Sequence, residues 1–471
     1  MTVGPVLAVD IGTSSVRVAV VTPDAEVVDD VRAARPGDPG RSFDAEAMWS
    51  TVVASIAALT PAARSAVRVV SVAAHLGTVL LDERLRVTAP ALGWSDRSGV
   101  GAVSEAFGDD RAELLRHTGR PVPAAGPLAA LVGVRGTHGS AALALSPKDF
   151  VVARLTTQLA AEVTTDPTSA AYTGALDVAS ATWSAPVLDR LGVAPDALGR
   201  IVPATAVVGT VRDAAARATG LRPGTPVVSG GPDGTVGLTA LLAGAAEGER
   251  AVGDVAGTTD VVAVRTADPA EAPPTAVVNP FPLGGWTIGG PTGTTGGAVA
   301  QWSRLLGFRD TAHAFEVLGD EVDAIPPGSD GLRIAVESSG SRFPRCDDAV
   351  RGGVAGLTDR HGRAHLLRAV VEGGARAVRD AVDVLPVPSD APVLLAGGAA
   401  RSLRIAAIRA TVLGRPVHAC DQPDVTLTGA ALIGALADAT TGERAALLER
   451  FARRGTVVDP QGARPARLGV A

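Results

Sequence analysis

A valine-rich stretch that breaks at a Gly-Thr-hydroxyl turn and resumes as a second valine-rich stretch occurs twice in this chain. The first copy reads VLAVDIGTSSVRVAVV from Val6, with its turn at Gly12-Thr13-Ser14. The second reads AVGDVAGTTDVVAVR from Ala251, with its turn at Gly257-Thr258-Thr259. The turns lie 245 positions apart in a chain of 471 residues. Each copy has the form of a β-hairpin, and Val16, Val18 and Val20 are read as alternating outward and inward along the second strand. Recurrence near the half-way point implies two related halves, each opening on a hairpin whose turn offers backbone amides and hydroxyls. Glycine lets such a turn approach an anion closely.

Between and after the hairpins, strands and helices alternate, which places the chain in the α/β class. Trp49, Val52, Ile56 and Leu59, at three- and four-residue spacing, predict a helix over 44–67, followed by a strand pair over 68–82. Helices are expected at 101–119 and at 147–159, the latter with Ser146 as N-cap and Pro147 at the first helical position. Further helices are expected at 297–306 and 361–383. A strand-turn-helix over 392–413 closes at Gly414. A chain of this length exceeds one hydrophobic core, so two domains are expected, 1–245 and 246–471. The Gly/Pro/Arg-rich tail beyond about 455 reads as loosely held.

The 43 basic and 49 acidic residues give a net charge of −6, which argues against a nucleic-acid or anionic-membrane partner. Cys346 and Cys420 show neither a CxxC spacing nor paired histidines, so no disulfide framework or structural zinc is expected. No signal peptide and no apolar run of membrane-spanning length is evident, which predicts a cytoplasmic protein. Every basic residue except Lys148 is arginine. A P-loop needs a lysine after a glycine-rich loop, and Lys148 sits in LALSPKDFVV without one. A chain like this handles phosphates with amides, hydroxyls and a metal ion.

Four places could carry that chemistry. Asp10, at the end of the first strand, could hold Mg²⁺ through water, with Gly12, Thr13 and Ser14 donating to phosphate oxygens; the plainer reading is an ordinary turn. In PVVSGGPDGTVGLTALL a strand runs into Gly230-Gly231-Pro232-Asp233-Gly234, with a helix starting near Thr235. Asp233 then stands at the carboxyl end of a strand beside a helix N-terminus, where a carboxylate can act as general base, or simply cap the helix. Gly397-Gly398, at a strand-to-helix junction, lets a flat ring or a diphosphate approach the backbone. His75, at a strand end, and Trp94, Asp96 and Arg97 in ALGWSDRSG form either a polar corner or a surface turn.

Taken in order, these motifs resemble the FGGY family of carbohydrate kinases, of the xylulokinase and gluconokinase type, within the actin/Hsp70/sugar-kinase superfamily. VDIGTSSVRVAV resembles the opening phosphate hairpin, WSDRSG the W-x-D-x-R segment, and the stretch from Lys148 to Asp166 the D-x-(S/T)-x-A element. GGPDGTVG resembles the segment with the catalytic Asp, GDVAGTTDVV the second phosphate hairpin, and AGGAARS the adenosine segment. The resemblance implies two actin-like (ribonuclease H-like) domains with the active-site cleft between them, the first for the sugar and the second for the nucleotide. It implies ATP and Mg²⁺ as cofactors and a small sugar, sugar acid or polyol as substrate. Asp233 would be the base, and Asp10 and Asp233 would lie at the metal. Asp10, Gly12, Thr13, Ser14, Gly257, Thr258, Thr259, Gly297, Gly397 and Gly398 would face the nucleotide, and His75, Trp94 and Asp96 the sugar. A homodimer is one option for the assembly. Ala74-His75-Leu76-Gly77 stands where xylulose-type members read Gln-Met-His-Gly, which implies a preference shifted away from D-xylulose. Ala396 stands where a third glycine is usual. The rival expectation is a non-catalytic actin-like nucleotide-binding sensor or scaffold.

Overall fold

The computed structural model describes residues 4–35, 40–96, 98–108, 117–120, 132, 141–244, 250–293, 295–337, 340–347, 349–420, 424–452 and 455–461. The chain forms two compact units, each assembled from separate segments: 1–244, 278–286 and 424–452 in the first, and 245–277, 287–423 and 453–471 in the second.

The first unit is built on a sheet of strands β1 (Val6–Ile11), β2 (Ser15–Val21), β3 (Val27–Ala34), β4 (Val69–Ala74), β5 (Val207–Thr210) and β6 (Pro226–Val228), in the order β5-β6-β4-β1-β2-β3. β1, β2 and β3 form an antiparallel meander, whereas β4 lies parallel to β1 and β6 parallel to β4. Successive β1 residues enter two different cores. Leu7, Val9 and Ile11 pack with Met48, Val52 and Ile56 on one face, and Val6 and Ala8 pack with Leu432 and Ile433 on the other. Both faces being covered explains the unbroken valine runs. The expectation for β2 is corrected because side chains two residues apart share a face: Val16, Val18 and Val20 all face the first core, while Ala19 and Val21 face the second.

The expected helix over 44–67 is two helices, Ala45–Ala58 and Pro61–Ala66, because Thr60 caps a new start with Pro61 at its first position. The helix expected over 101–119 runs Val100–Phe107, and residues 109–116 lie outside the described residues. The others occur as Pro147–Thr156, Thr295–Leu305, Arg363–Val382 and Leu403–Leu413, with Ser146 and left-handed Gly414 at the expected caps and Ser402 capping the last helix. The tail expected to be loosely held beyond about 455 is described as far as 461 and includes the strand Thr456–Val458, while residues 462–471 lie outside the described residues.

Two later segments return to the first unit. Residues 278–286 join it through Val278 N–H to Gly119 O (3.0 Å), Thr168 Oγ1 to Pro280 O (2.8 Å) and Trp286 Nε1 to Val178 O (2.8 Å). The helix Val425–Ala435 joins it because it supplies the core on one face of β1 and β4.

The second unit repeats the local plan. Strands β7 (Val252–Ala256), β8 (Asp260–Thr266), β9 (Val393–Gly397), β10 (Val417–Ala419) and β11 (Thr456–Val458) lie in the order β8-β7-β9-β10-β11. β7 and β8 form the hairpin, and β9 runs parallel to β7 with Ala256 opposite Gly397.

Within the first unit the helix Asp233–Leu242 packs on Val425–Ala435 at Gly429, where a Cβ would collide with the Val236 carbonyl. Alanine is the better helix former, but overpacking against a backbone atom outweighs that gain. Gly429→Ala is therefore expected to destabilise the first unit by about 1–3 kcal/mol. Calorimetry should show a lowered melting transition; an unchanged or raised one would contradict the close packing.

Candidate active site

Three side chains stand at the carboxyl ends of neighbouring strands in the first unit. Asp10 is the penultimate residue of β1 and lies opposite Ala73 of β4, and His75 directly follows β4. The short strand Gly231–Pro232 also lies parallel to β4, with Pro232 opposite Ala74, and Asp233 follows it. Parallel strands end together, and ligand sites of open α/β sheets gather at that edge. The turn into this strand depends on Gly230, at φ +73°, where a Cβ would collide with the Val72 carbonyl.

The helix begins at Asp233 itself, two residues earlier than the sequence suggests, because pairing of Gly231–Pro232 with β4 aligns the backbone for an immediate start. Asp233 is thus a first-turn residue and not the N-cap, which is Pro232. One carboxylate oxygen accepts from Gly234 N–H at 2.7 Å. Burial pushes its pKa up to about 6, against the opposing effects of the Gly234 hydrogen bond and the Arg17 charge.

Asp10 is fully buried (0% exposed). Arg17, its register partner on β2, donates to Asp10 Oδ2 and to Asp424 Oδ2. Burial raises Asp10 well above the carboxylate range, Arg17 pulls it down, and the nearby charges of Asp424 and Asp233 raise it further. Asp10 Oδ1 has no hydrogen-bond partner among the described residues. An orphaned buried carboxylate oxygen suits a cation or its water shell. Among the described residues no group of three or more His, Cys, Asp or Glu side chains could hold a metal. Mg²⁺ fits here only as an ion held by Asp10 together with phosphate oxygens, the common arrangement for that metal.

His75 is 3% exposed, its Nδ1 lies 2.8 Å from Leu76 O, and its backbone N–H donates to Ile11 O at 2.8 Å. Burial first, and the Arg35 charge in addition, pull its pKa down to about 4 against the Leu76 bond, so the ring is neutral at physiological pH. Thr13 and Ser14 are exposed at the β1–β2 turn, and Gly12 is half-buried. Trp94 is 49% exposed in the turn after the strand Ala91–Gly93, and Asp96 there accepts from Ser98 N–H and Oγ. Gly93 pairs with Gly77, two residues beyond His75, so sheet pairing brings this turn toward the same segment. Arg97 lies outside the described residues.

In the second unit the turn Gly257-Thr258-Thr259 meets the start of the helix Thr295–Leu305. Gly297 N–H donates to Thr258 O at 2.9 Å, and a Cβ on Gly296 would collide with Gly257 O. Gly397, at φ +86°, and Gly398, whose N–H reaches Ala256 O at 2.8 Å, border the same hairpin end. Ala396 is fully buried in its strand, so it contributes packing and does not narrow the exposed Gly398 surface.

The chain matches the N-terminal domain model of the FGGY family of carbohydrate kinases over residues 5–240 and the C-terminal domain model over 254–437. It belongs to that family. This FGGY kinase is 28% identical to a gluconokinase of Bacillus subtilis over 425 residues, covering 84% of this chain and 80% of the relative. It is 25% identical to a xylulose kinase of the same organism over 476 residues, 97% and 93% of the two chains. It superposes on a crystal structure of a xylulose kinase from Rhodospirillum rubrum with a TM-score of 0.80 at 27% identity, covering 97% and 94% of the chains. The α/β architecture is thus the actin-like fold of these sugar kinases, and the expectation of a non-catalytic scaffold finds no support among these relatives. Among the described residues no helix is long and apolar enough to cross a membrane.

Sequence reasoning missed Arg17, although its place opposite Asp10 in the hairpin was countable from the turn. It also missed what Lys148 does. The sole lysine is 1% exposed, contacts Asp149 Oδ1, lies 3.1 Å from Asp166 Oδ1, and sits 3.5 Å from Ser229 Oγ. Burial disfavours its charge, but the two aspartates outweigh that and raise its pKa. Thus Lys148 is an internal counter-ion for two carboxylates. Lys148→Met leaves Asp149 and Asp166 buried without their cation, a loss of about 3–5 kcal/mol for a buried pair broken on one side. Thermal unfolding should show a large fall in melting temperature that adding Asp149→Asn partly reverses. A melting temperature matching wild type would contradict the triad.

Proposed function

We propose that this carbohydrate kinase transfers the terminal phosphoryl group of Mg·ATP to a hydroxyl of a small sugar or sugar acid, of the D-xylulose or gluconate type, with Asp233 as general base. The observation that carries the reading is the position of Asp233: a carboxylate at the carboxyl end of a strand, beside Asp10 and the strand that ends at His75, with its pKa pushed up to about 6. A carboxylate in that range stays largely ionised at neutral pH yet is basic enough to accept a proton in the transition state.

In the proposed reaction the acceptor hydroxyl gives its proton to the Asp233 carboxylate as its oxygen bonds to the γ-phosphorus. The bond from that phosphorus to the β–γ bridging oxygen breaks in line, and ADP leaves with the bonding pair. Mg²⁺, held on the protein side by Asp10, would neutralise phosphate charge. The amides and hydroxyls of Thr13, Ser14, Thr258 and Thr259 suit phosphate oxygens, while Gly12 and Gly257, whose own N–H groups close the turns onto Ser15 O and Thr259 O, let the backbone come close; Gly297, Gly397 and Gly398 suit the nucleotide, since all lie at turns, strand ends or helix starts and are exposed or half-buried. His75, neutral and with Nε2 free of partners among the described residues, suits a sugar hydroxyl, and Trp94 and Asp96 suit the rim of the same pocket. This assigns the acceptor to the first unit and the nucleotide to the second.

Asp233→Asn is expected to retain folding and Mg·ATP binding while losing about 10²-fold or more in kcat. In the wild type, kcat/KM should fall as pH drops through about 6, because protonation removes the base. Steady-state kinetics over pH 5–8 check both points. Near wild-type turnover by Asp233→Asn would exclude it as the base.

A further inference from the structure

Arg35 follows β3, and its backbone N–H donates to Ser14 O at 2.9 Å. Its Nη1 donates to Gly12 O at 2.8 Å, and its guanidinium carbon stands 5.4 Å from the centroid of the Phe43 ring. The same ring meets His75 edge-on, with centroids 5.1 Å apart. Phe43 therefore braces a cation on its face and a neutral imidazole at its edge, and both groups are tied to the end of β1 through Gly12 and Ile11.

Two features of this corner lack a partner. Arg35 is half-buried, yet no carboxylate pairs with it among the described residues, whereas Arg17 on the neighbouring strand is committed to Asp10 and Asp424. Burial lowers its pKa to about 10 with no acidic group opposing that, so it remains a cation at neutral pH. His75 Nε2 is buried and equally without a partner. A half-buried guanidinium lacking a counter-ion, beside an unfilled imidazole nitrogen, is a place prepared for an anion that also carries a hydroxyl.

We propose that Arg35, braced by Phe43, binds the carboxylate of a sugar acid whose neighbouring hydroxyl meets His75, which makes the acceptor an aldonate and not a neutral ketose. This rests on the reading of His75 as an acceptor-facing residue. Arg35 thereby becomes the specificity-determining residue of the first unit. It also gives a physical reason for the apolar Ala74 and Leu76 flanking His75: recognition relies on one charge-assisted contact instead of several neutral hydrogen bonds.

The test is isothermal titration without ATP, which reads acceptor binding independently of phosphoryl transfer. D-Gluconate is the acidic probe, its neutral counterpart D-glucitol and the ketose D-xylulose are the controls, and Mg·ATP is titrated separately. Wild type should bind gluconate at least tenfold more tightly than glucitol, with a margin that shrinks as salt is added. Arg35→Gln should weaken gluconate binding roughly ten- to hundredfold, the usual loss for a hydrogen-bonded charged group, and leave glucitol, xylulose and Mg·ATP unchanged. Arg35→Lys should recover part of the loss. Equal wild-type affinity for gluconate and glucitol would overturn the proposal even if Arg35→Gln failed to fold. So would an Arg35→Gln variant that weakens only Mg·ATP, which would assign the cation to nucleotide phosphate. Loss of turnover with gluconate affinity intact in Asp233→Asn would leave this inference standing, while wild type that binds gluconate tightly yet phosphorylates only D-xylulose would overturn the aldonate acceptor and leave the kinase reading intact.

Discussion

Arg17 grips two carboxylates: Asp10 at the end of β1, which the fold has taken out of water, and half-buried Asp424 at the cap of the helix Val425–Ala435. Asp10 could not be buried there uncompensated, since an isolated charge in a core costs several kcal/mol even after relaxation. The contact also ties the first hairpin to a segment more than four hundred residues later in the chain. That helix covers one face of β1 and packs on the helix that starts at Asp233. One guanidinium therefore fixes the floor of the site, and its charge lowers the pKa of Asp233 while burial raises it.

The second unit solves the same problem with the same residue type. Arg409 donates to Asp254 Oδ2 and, at 2.7 Å, to Asp260 Oδ2, the two aspartates that flank the Gly257-Thr258-Thr259 turn. Burial, helped by the Asp260 charge, pushes Asp254 up to about 7 against the pull of Arg409. In each unit one arginine pairs with the aspartate of the strand that leads into the phosphate-suited turn and with a second aspartate, Asp424 at a helix cap in the first and Asp260 just past the turn in the second. Neither arginine engages the turn hydroxyls of Thr13, Ser14, Thr258 and Thr259, and an arginine keeps its charge where a lysine could lose it. That is a chemical reason for the near-absence of lysine, beside the codon usage that such a composition suggests.

Much of this was legible from one chain. The hairpins, the helix cap at Ser146, the closing Gly414 and the strand-turn-helix around Asp233 all follow from local chemistry, because caps and turns act over a few residues. What escaped was non-local. Nothing near Val425 says that its helix belongs to the first unit, and the Asp424–Arg17 contact shows only once the chain has folded back. Lys148 looked like an ordinary helix start because its partner Asp166 and neighbour Ser229 are far away in sequence. Nothing in the sequence around Arg35 or Phe43 shows that they meet His75, because Arg35 arrives at the end of β3 and Phe43 on the short strand Ser42–Phe43, which pairs with Ala91–Gly93. In β2 the strand period itself puts Val16, Val18 and Val20 on one face, so the expectation that they alternate fails, and burial of both faces removes the polar alternation that would have marked the two sides.

The account stands or falls on where the acceptor lies relative to Asp233. A crystal structure of the kinase with bound sugar acid and a non-hydrolysable ATP analogue measures that directly. The account predicts one acceptor hydroxyl within about 2.6–3.2 Å of an Asp233 carboxylate oxygen, the reach a general base requires. An acceptor bound with every hydroxyl beyond that reach of Asp233, and no water bridging the gap, would contradict it.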